Sequence, residues 1–335
     1  MARDVIVIGA SSGGIDPLVK LVRNLPPSLP AAVFVVLHVR PDAPSHLPAI
    51  LNRAGSLPAA HAVDGEPIRR GRIYVAPPGF QTYVHRGRIS VRRGPQENSS
   101  RPAIDALFRT AAHHYGPRVI GVVLSGALDD GSAGLEAIKR AGGIAIVQDP
   151  ADAAFSSMPT NARDRVDVDF SIPAEELGAS LTGIVSRNGN GEEPLPREVP
   201  LETAEETPAD ERPPKTEELG RPSGLTCPDC HGALWEIDDG RSVRYRCRVG
   251  HAYSEEAMMS SQSDSVERAF WAALRALEER IALVQKLADN ARRRGHSTVA
   301  MLFDQRSQQM EDDVKALHNV ITTGHTLEPL EHNGM

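Results

Sequence analysis

Short apolar runs alternate with helical periodicity through the first half of the chain. The runs lie at residues 5–8, 32–38, 73–76, 119–124 and 144–147. Between and after them, apolar residues recur at helical spacing near 16–24, 45–54, 102–115, 132–141 and 174–186. Continuous Val/Ile runs, rather than runs alternating with polar residues, suit strands covered on both faces. Their alternation with helices predicts an α/β fold, a doubly wound and mostly parallel sheet. Residues 81–92, with a turn at Arg86-Gly87-Arg88, predict a hairpin inserted into that pattern.

The pattern then changes twice. Residues 187–222 are rich in Glu, Pro, Gly and Asn, with hardly any large apolar side chains. Such a segment buries too little surface to offset its conformational entropy and is expected to be a disordered linker. Residues 223–255 contain every cysteine of the chain. Beyond them, apolar residues recur at Phe270, Leu274, Leu277, Ile281, Val284 and Ala288, and again at Met310, Val314, Leu317 and Ile321. These two stripes predict amphipathic helices forming a hairpin or coiled coil. The expected organisation is therefore a domain at 1–186, a linker at 187–222, a Cys-rich module at 223–255 and a helical segment at 256–325.

Composition narrows the function classes. The 335 residues carry a net charge of -7, against the basic footprint of a nucleic-acid binder. No apolar run approaches the roughly 18 residues that span a bilayer, and Met1-Ala2-Arg3-Asp4 leads straight into the first apolar run without a secretory signal. Three cysteines do not make a disulfide framework, which fits a reducing cytoplasm.

Candidate chemistry sits at the ends of the predicted strands. After the first comes Gly9-Ala10-Ser11-Ser12-Gly13-Gly14, then a helical pattern. Small residues permit a sharp turn that presents Ser11 at the sheet's carboxyl edge. There the backbone N–H groups of Ser12 and Gly13, at a helix amino end, are placed to stabilise an oxyanion. A dinucleotide fingerprint fits worse, because Ser11 replaces its second glycine and the second strand ends in His38 rather than an acid. The pentapeptide Gly9–Gly13 matches Gly-x-Ser-x-Gly, but here the base precedes the acid, unlike the α/β-hydrolase order. A plain small-residue turn also fits this loop in isolation. His38 is placed to take a serine proton, while a lone strand-end histidine also fits as a cap on local backbone. The loop Ser125-Gly126-Ala127-Leu128-Asp129-Asp130-Gly131 follows the strand at 119–124 and offers a carboxylate to orient that imidazole. A helix N-cap, or a divalent-cation site, is the other reading of Asp129 and Asp130.

Taken in order, Ile8-Gly9-Ala10-Ser11-Ser12-Gly13-Gly14, Leu37-His38, Tyr74-Val75-Ala76-Pro77-Pro78-Gly79, Arg101-Pro102-Ala103-Ile104-Asp105-Ala106-Leu107-Phe108, Gly121-Val122-Val123-Leu124-Ser125-Gly126 with Asp130-Gly131, and Met158-Pro159 resemble the catalytic domain of the CheB-type chemotaxis protein-glutamate methylesterases. The resemblance runs from about Asp4 to Val185. It implies Ser11 as nucleophile, His38 as base and Asp130 rather than Asp129 as the carboxylate. The implied reaction is hydrolysis of glutamate 5-O-methyl esters on methyl-accepting chemotaxis receptors through an acyl-enzyme, with glutamine deamidation by the same chemistry and no catalytic cofactor. Two departures stand out. Many members carry an N-terminal receiver domain that covers the site until phosphorylated; this chain starts at the catalytic domain, which implies that the switch is absent in cis. Familiar members have Met where this chain has Ala127, a position beside the acid loop.

Cys227-Pro228-Asp229-Cys230 and Cys247-Arg248-Val249-Gly250-His251 form a C-x₂-C-x₁₆-C-x₃-H pattern. Cys227, Cys230, Cys247 and His251 suit a closed, structural zinc site of the ribbon type, with three free cytosolic thiols as the other reading. The helices beyond suit packing, self-association or docking on a signalling partner. Two other function classes remain open on sequence grounds: a non-catalytic signalling adaptor, and a serine esterase or amidase with a substrate other than chemoreceptors.

Overall fold

In the computed structural model the described residues are 3–41, 43–186, 206, 215, 218, 220–238, 240 and 242–323. Most of the segment expected to be a linker, 187–222, lies outside them. The chain divides into two units, Met1–Ala257 and Met258–Met335.

The first unit begins with β1 (Val5–Ala10), α1 (Ile15–Arg23), β2 (Ala32–Leu37), α2 (Leu47–Ala54), β3 (Ala59–His61) and β4 (Arg72–Val75). An antiparallel hairpin follows, β5 (Gln81–His85) and β6 (Arg88–Arg92). Then come α3 (Ile104–Tyr115), β7 (Val119–Val123), α4 (Ser132–Arg140), β8 (Ile144–Gln148), α5 (Ser157–Arg165), β9 (Phe170–Ile172) and α6 (Ala174–Ser186). Seven strands form one sheet in the order β3-β4-β2-β1-β7-β8-β9, every pair parallel. The doubly wound α/β sheet expected from the apolar runs is the architecture found.

Burial explains why those runs lack polar alternation. Within β1, Val5 and Val7 face a layer with Ile104, Leu107 and Phe108 of α3, Leu135 of α4 and Met158 of α5. Ile6, Ile8 and Ala10 face the opposite layer, with Leu18 and Leu21 of α1, Leu51 of α2 and Leu177 of α6. Each of the Val, Ile, Leu, Phe and Met side chains among them contributes roughly 1.5–3 kcal/mol by leaving water. The first turn of α3 comes very close to β1: a Cβ at Gly9 would lie 2.4 Å from Ile104 Cγ2. Glycine at this position therefore lets the helix start reach the strand end.

Strands β3 and β9 and helix α5 were not legible as periodic segments. The two strands have three residues each, and α5 buries only Met158, Pro159 and Ala162, too few for a stripe.

The Cys-rich part is a four-stranded antiparallel sheet, β10 (Arg221–Thr226), β11 (Ala233–Asp238), β12 (Val243–Cys247) and β13 (Ala252–Ser254). It belongs to the first unit. Its β13 lies beside the loop before α3, where Asn98 N–H donates to Ala252 O (2.8 Å) and Ala252 N–H to Gln96 O (3.2 Å).

The second unit holds most of α7 (Glu255–Arg293) and all of α8 (Ser297–Thr323). Gly295, at φ 78°, closes α7 with His296 N–H reaching back to Ala291 O at 2.9 Å, a left-handed helix stop that favours glycine. The helices return antiparallel, joined by Gln285–Glu311 and Arg292–Asp304 hydrogen bonds. Leu274, Val284, Ala288, Ala291, Ala300 and Met310 are buried, whereas Trp271, Leu283, Leu287 and Leu302 are exposed. Among the described residues no helix is long and apolar enough to cross a membrane.

Candidate active site

The sheet reverses its winding between β1 and β7. Crevices of this kind, outside the carboxyl ends of parallel strands, are where open α/β sheets bind ligands. Three loops converge there, after β1, β2 and β7, and they carry Ser11, His38 and Asp130.

Ser11 follows β1, with its N–H donating to Ser125 O (3.0 Å) and its carbonyl accepting from Gly14 N–H (2.9 Å). Gly13 adopts φ 70° in this turn, a left-handed conformation that costs an L side chain about 1–2 kcal/mol. A Cβ at Gly126 would stand 2.9 Å from Ser11 Cβ and 2.6 Å from Met158 Cε, so the Ser125-Gly126 step packs directly against the serine. Ser12 and Gly13 are exposed, and their backbone N–H groups have no acceptor among the described residues. They border the serine at the amino end of α1.

His38 bridges the other two residues. Its Nδ1 lies 3.2 Å from Ser11 Oγ and its Nε2 lies 2.7 Å from Asp130 Oδ2. With Asp130 ionised, Nε2–H donates to the carboxylate and Nδ1 is left to accept the serine hydroxyl proton. The imidazole is 17% exposed and the carboxylate 3%, so one end of the relay opens to a substrate while the other is sealed.

Asp130 is held by five donors. Oδ2 accepts from His38 Nε2 and from Ile104 N–H at 2.7 Å. Oδ1 accepts from Asn98 Nδ2 (2.9 Å), Asp105 N–H (3.2 Å) and Gly131 N–H (3.0 Å). Burial alone would raise its pKa, but the hydrogen bond and charge of His38, together with the Ile104 and Asn98 donors, hold it below the ordinary carboxylate value. Asp105 goes the other way. Burial and the facing Asp130 charge push it well above that value, although Oδ1 accepts from Gly131 N–H (3.0 Å) and Gly134 N–H (2.7 Å). One of the two carboxyls thus stays ionised against the imidazole, and its neighbour retains the proton more readily.

Asp129 is directed elsewhere. Its carboxylate takes a hydrogen bond from Ser254 Oγ (2.5 Å) and pairs with Arg165. Asn98 has no counterpart in the sequence reading: an isolated polar residue in a loop offers no periodicity or spacing to single it out. Asp105 stood in a motif of the resemblance without a role.

Away from the crevice, the four residues Cys227, Cys230, Cys247 and His251 come together, with one ligand atom from each lying within 4.8 Å of every other. Cys230 and Cys247 sulfurs are 3.7 Å apart, as are His251 Nδ1 and the sulfurs of Cys227 and Cys247. A tetrahedron with metal–sulfur bonds of about 2.3 Å has sulfur–sulfur edges of about 3.8 Å. The donor set and its spacing therefore fit a tetrahedral metal and are too long for a disulfide.

Comparison with known proteins agrees with this geometry. The family model described as CheB methylesterase matches residues 6–181. A protein of Leptospira interrogans, provisionally named protein-glutamate methylesterase/protein-glutamine glutaminase, is 35% identical over 178 residues, 53% of this chain and 92% of that protein. A Methanosarcina mazei protein of the same name, numbered 2, is 34% identical over 191 residues, 55% of this chain and 52% of its own length. The crystal structure of the Thermotoga maritima CheB methylesterase catalytic domain superposes with a TM-score of 0.53 at 29% identity, covering 55% of this chain and all of that domain. A family match over residues 6–181, a close relative spanned almost end to end and a shared fold together identify the chain as a member of the CheB methylesterase family.

Proposed function

We propose that the chain is a protein-glutamate methylesterase acting on methylated chemoreceptors in the cytoplasm, and a protein-glutamine glutaminase by the same chemistry. The single observation that carries this is the unbroken Ser11–His38–Asp130 hydrogen-bond chain at the switch point of a CheB-family sheet. Ser11 Oγ attacks the δ-carbonyl carbon of a methylated glutamate side chain as its proton passes to His38 Nδ1. Asp130 stabilises the imidazolium and fixes the ring. The N–H groups of Ser12 and Gly13 stabilise the oxyanion. His38 then protonates the departing methoxide, releasing methanol; with a glutamine side chain the leaving group is ammonia. Water, deprotonated by His38, attacks the acyl-enzyme, and collapse frees Ser11 and a glutamate carboxylate.

Phe155, 51% exposed, lies against Gly13, and Leu128, 38% exposed, sits on the acid loop. Such exposed apolar side chains on the loops at this end of the sheet suit a substrate presented on the face of an amphipathic receptor helix. The Cys227–Cys230–Cys247–His251 cluster holds a structural zinc, with no part in the acyl transfer itself.

The test is release of volatile methanol from receptor signalling domains carrying labelled glutamyl methyl esters. The wild type is expected to release it, and folded Ser11→Ala to lose at least about a thousandfold in rate. No release by wild type from any of several receptors would refute the receptor-methylesterase reading.

A further inference from the structure

We propose that the Cys-rich module is a working part of the esterase and that Asn98 is the positioning residue through which it holds Asp130. The inference rests on the Ser11–His38–Asp130 reading above.

Asn98 is buried, 8% exposed, and adopts φ 49°, a left-handed conformation that asparagine tolerates better than most residues. All of its side-chain bonds serve one orientation. Oδ1 accepts from Ser254 N–H (2.8 Å) at the end of β13. Nδ2 donates to Asp105 Oδ2 (3.0 Å) and to Asp130 Oδ1 (2.9 Å). The two ends of a carboxamide have nearly the same shape but opposite hydrogen-bonding character. Ser254 N–H demands an oxygen, and this demand turns the NH₂ toward the carboxylates. In the reversed orientation a carbonyl oxygen would face two acidic groups and an NH₂ would face an N–H donor.

Asn98 is also the only side chain besides His38 that donates to Asp130 among the described residues. It sits between Asp130 and Asp105, so its donors separate two buried carboxyls that otherwise face each other. Loss of that wedge weakens the hold on Asp130 Oδ1 and, through the same carboxylate, on the His38 ring.

The partner of this wedge lies three residues after a member of the Cys/His cluster. His251 is followed by Ala252, whose carbonyl accepts from Asn98 N–H and whose N–H donates to Gln96 O. Next to Cys247, Arg246 reaches Glu97 Oε1 (3.2 Å) and Gly250 O (2.9 Å). The module has only a small apolar core, with Leu234, Ile237 and Tyr253 among its few buried large side chains, so a cross-linking metal is needed to order its strands. Metal in the cluster orders β13, β13 presents Ser254 N–H, and Asn98 is turned toward Asp130.

The test uses the full-length protein, a soluble activated ester such as p-nitrophenyl acetate, and the low-field proton resonance of the His38–Asp130 hydrogen bond. Asn98→Gly removes the amide while relieving the backbone; Asn98→Asp keeps the acceptor for Ser254 but replaces the donors with a negative charge. Both are expected to lose about 10–100-fold in kcat with KM within about twofold, and to lose or shift the low-field resonance. Arg221→Ala, on the exposed edge of the module, should leave kcat unchanged. Stripping zinc with a chelator under reducing conditions, checked by metal analysis and circular dichroism, should reproduce the loss, and equimolar zinc should reverse it. In Asn98→Gly the same stripping should cost little further, because the link is already cut.

Wild-type kcat in both Asn98 variants, wild-type kcat in metal-free protein, or failure of the protein to take up zinc would each overturn the proposal. Failure of the underlying reading looks different: ester hydrolysis that survives intact in Ser11→Ala. Ester hydrolysis without methanol release from receptors changes only the substrate and leaves the role of Asn98 measurable.

Discussion

Asp130 accepts from two side chains and three backbone N–H groups, whereas Asp129 one residue earlier bonds Ser254 and Arg165. Successive side chains in this tight loop point to opposite sides, which divides the pair between the site and the Cys-rich module. Replacing Asp130 with Asn keeps the shape but puts either a carbonyl or an NH₂ against His38 Nε2. The NH₂ orientation forces the proton onto Nδ1, where it can no longer accept from Ser11. A loss in kcat on the order of 10⁴ is expected for Asp130→Asn, with circular dichroism at the assay temperature as the check on folding. Much of the residue-scale picture was legible in the sequence because Ser11, His38 and the acid loop each stand at a strand end among small residues. Asn98 was not, because its meaning comes from Ser254, 156 residues away, and no local pattern encodes that meeting. Asp105 had a place in a motif, but only the fold turns it toward Gly131 and Gly134.

At the scale of elements, the opposite end of the sheet is tied by charge. Asp4, just before β1, accepts from Arg118 (Nε to Oδ1, 2.8 Å) before β7 and from Arg70 (Nε to Oδ2, 3.1 Å) before β4. Burial works to raise the Asp4 pKa, but the hydrogen bonds and charges of Arg118 and Arg70 outweigh it and the value is lowered. A carboxylate with a lowered folded-state pKa contributes stability that is fully present above its unfolded value, near 3.8, and that is lost as pH falls through the folded value. Asp4→Asn should therefore cost about 1–3 kcal/mol at pH 7. That difference should shrink toward zero below about pH 3.8. Urea unfolding of wild type and variant across that range checks both statements; a pH-independent difference would mean the ties act through packing instead. Long, fully buried strands such as β1 and β2 announced themselves by composition. The edge strands β3 and β9 did not, since each is stabilised by a neighbour already in the sheet rather than by its own apolar content.

At the scale of the whole molecule, the CheB-type sheet and the Cys-rich module share one unit, and the helices after Ala257 form another. The spacing of Cys227, Cys230, Cys247 and His251 marked the four as one cluster, because the two short Cys/His stretches are local in sequence, and the fold brings their ligand atoms within 4.8 Å of one another. Its attachment to the loop before α3 was hidden, because that contact includes an isolated bridge between Glu97 and Ala252, which lie far apart in the sequence. The family fold supplies the three loops, and the module meets the acid loop through Ser254, which bonds Asn98 and Asp129. The proposed activity stands on acyl transfer through Ser11. The most direct measurement is reaction of the full-length protein with a fluorophosphonate, followed by intact mass and peptide mapping. One adduct per chain on Ser11, absent from Ser12 and formed far more slowly in His38→Ala, is the predicted result. Labelling elsewhere, or labelling of Ser11 at an undiminished rate without His38, would contradict it.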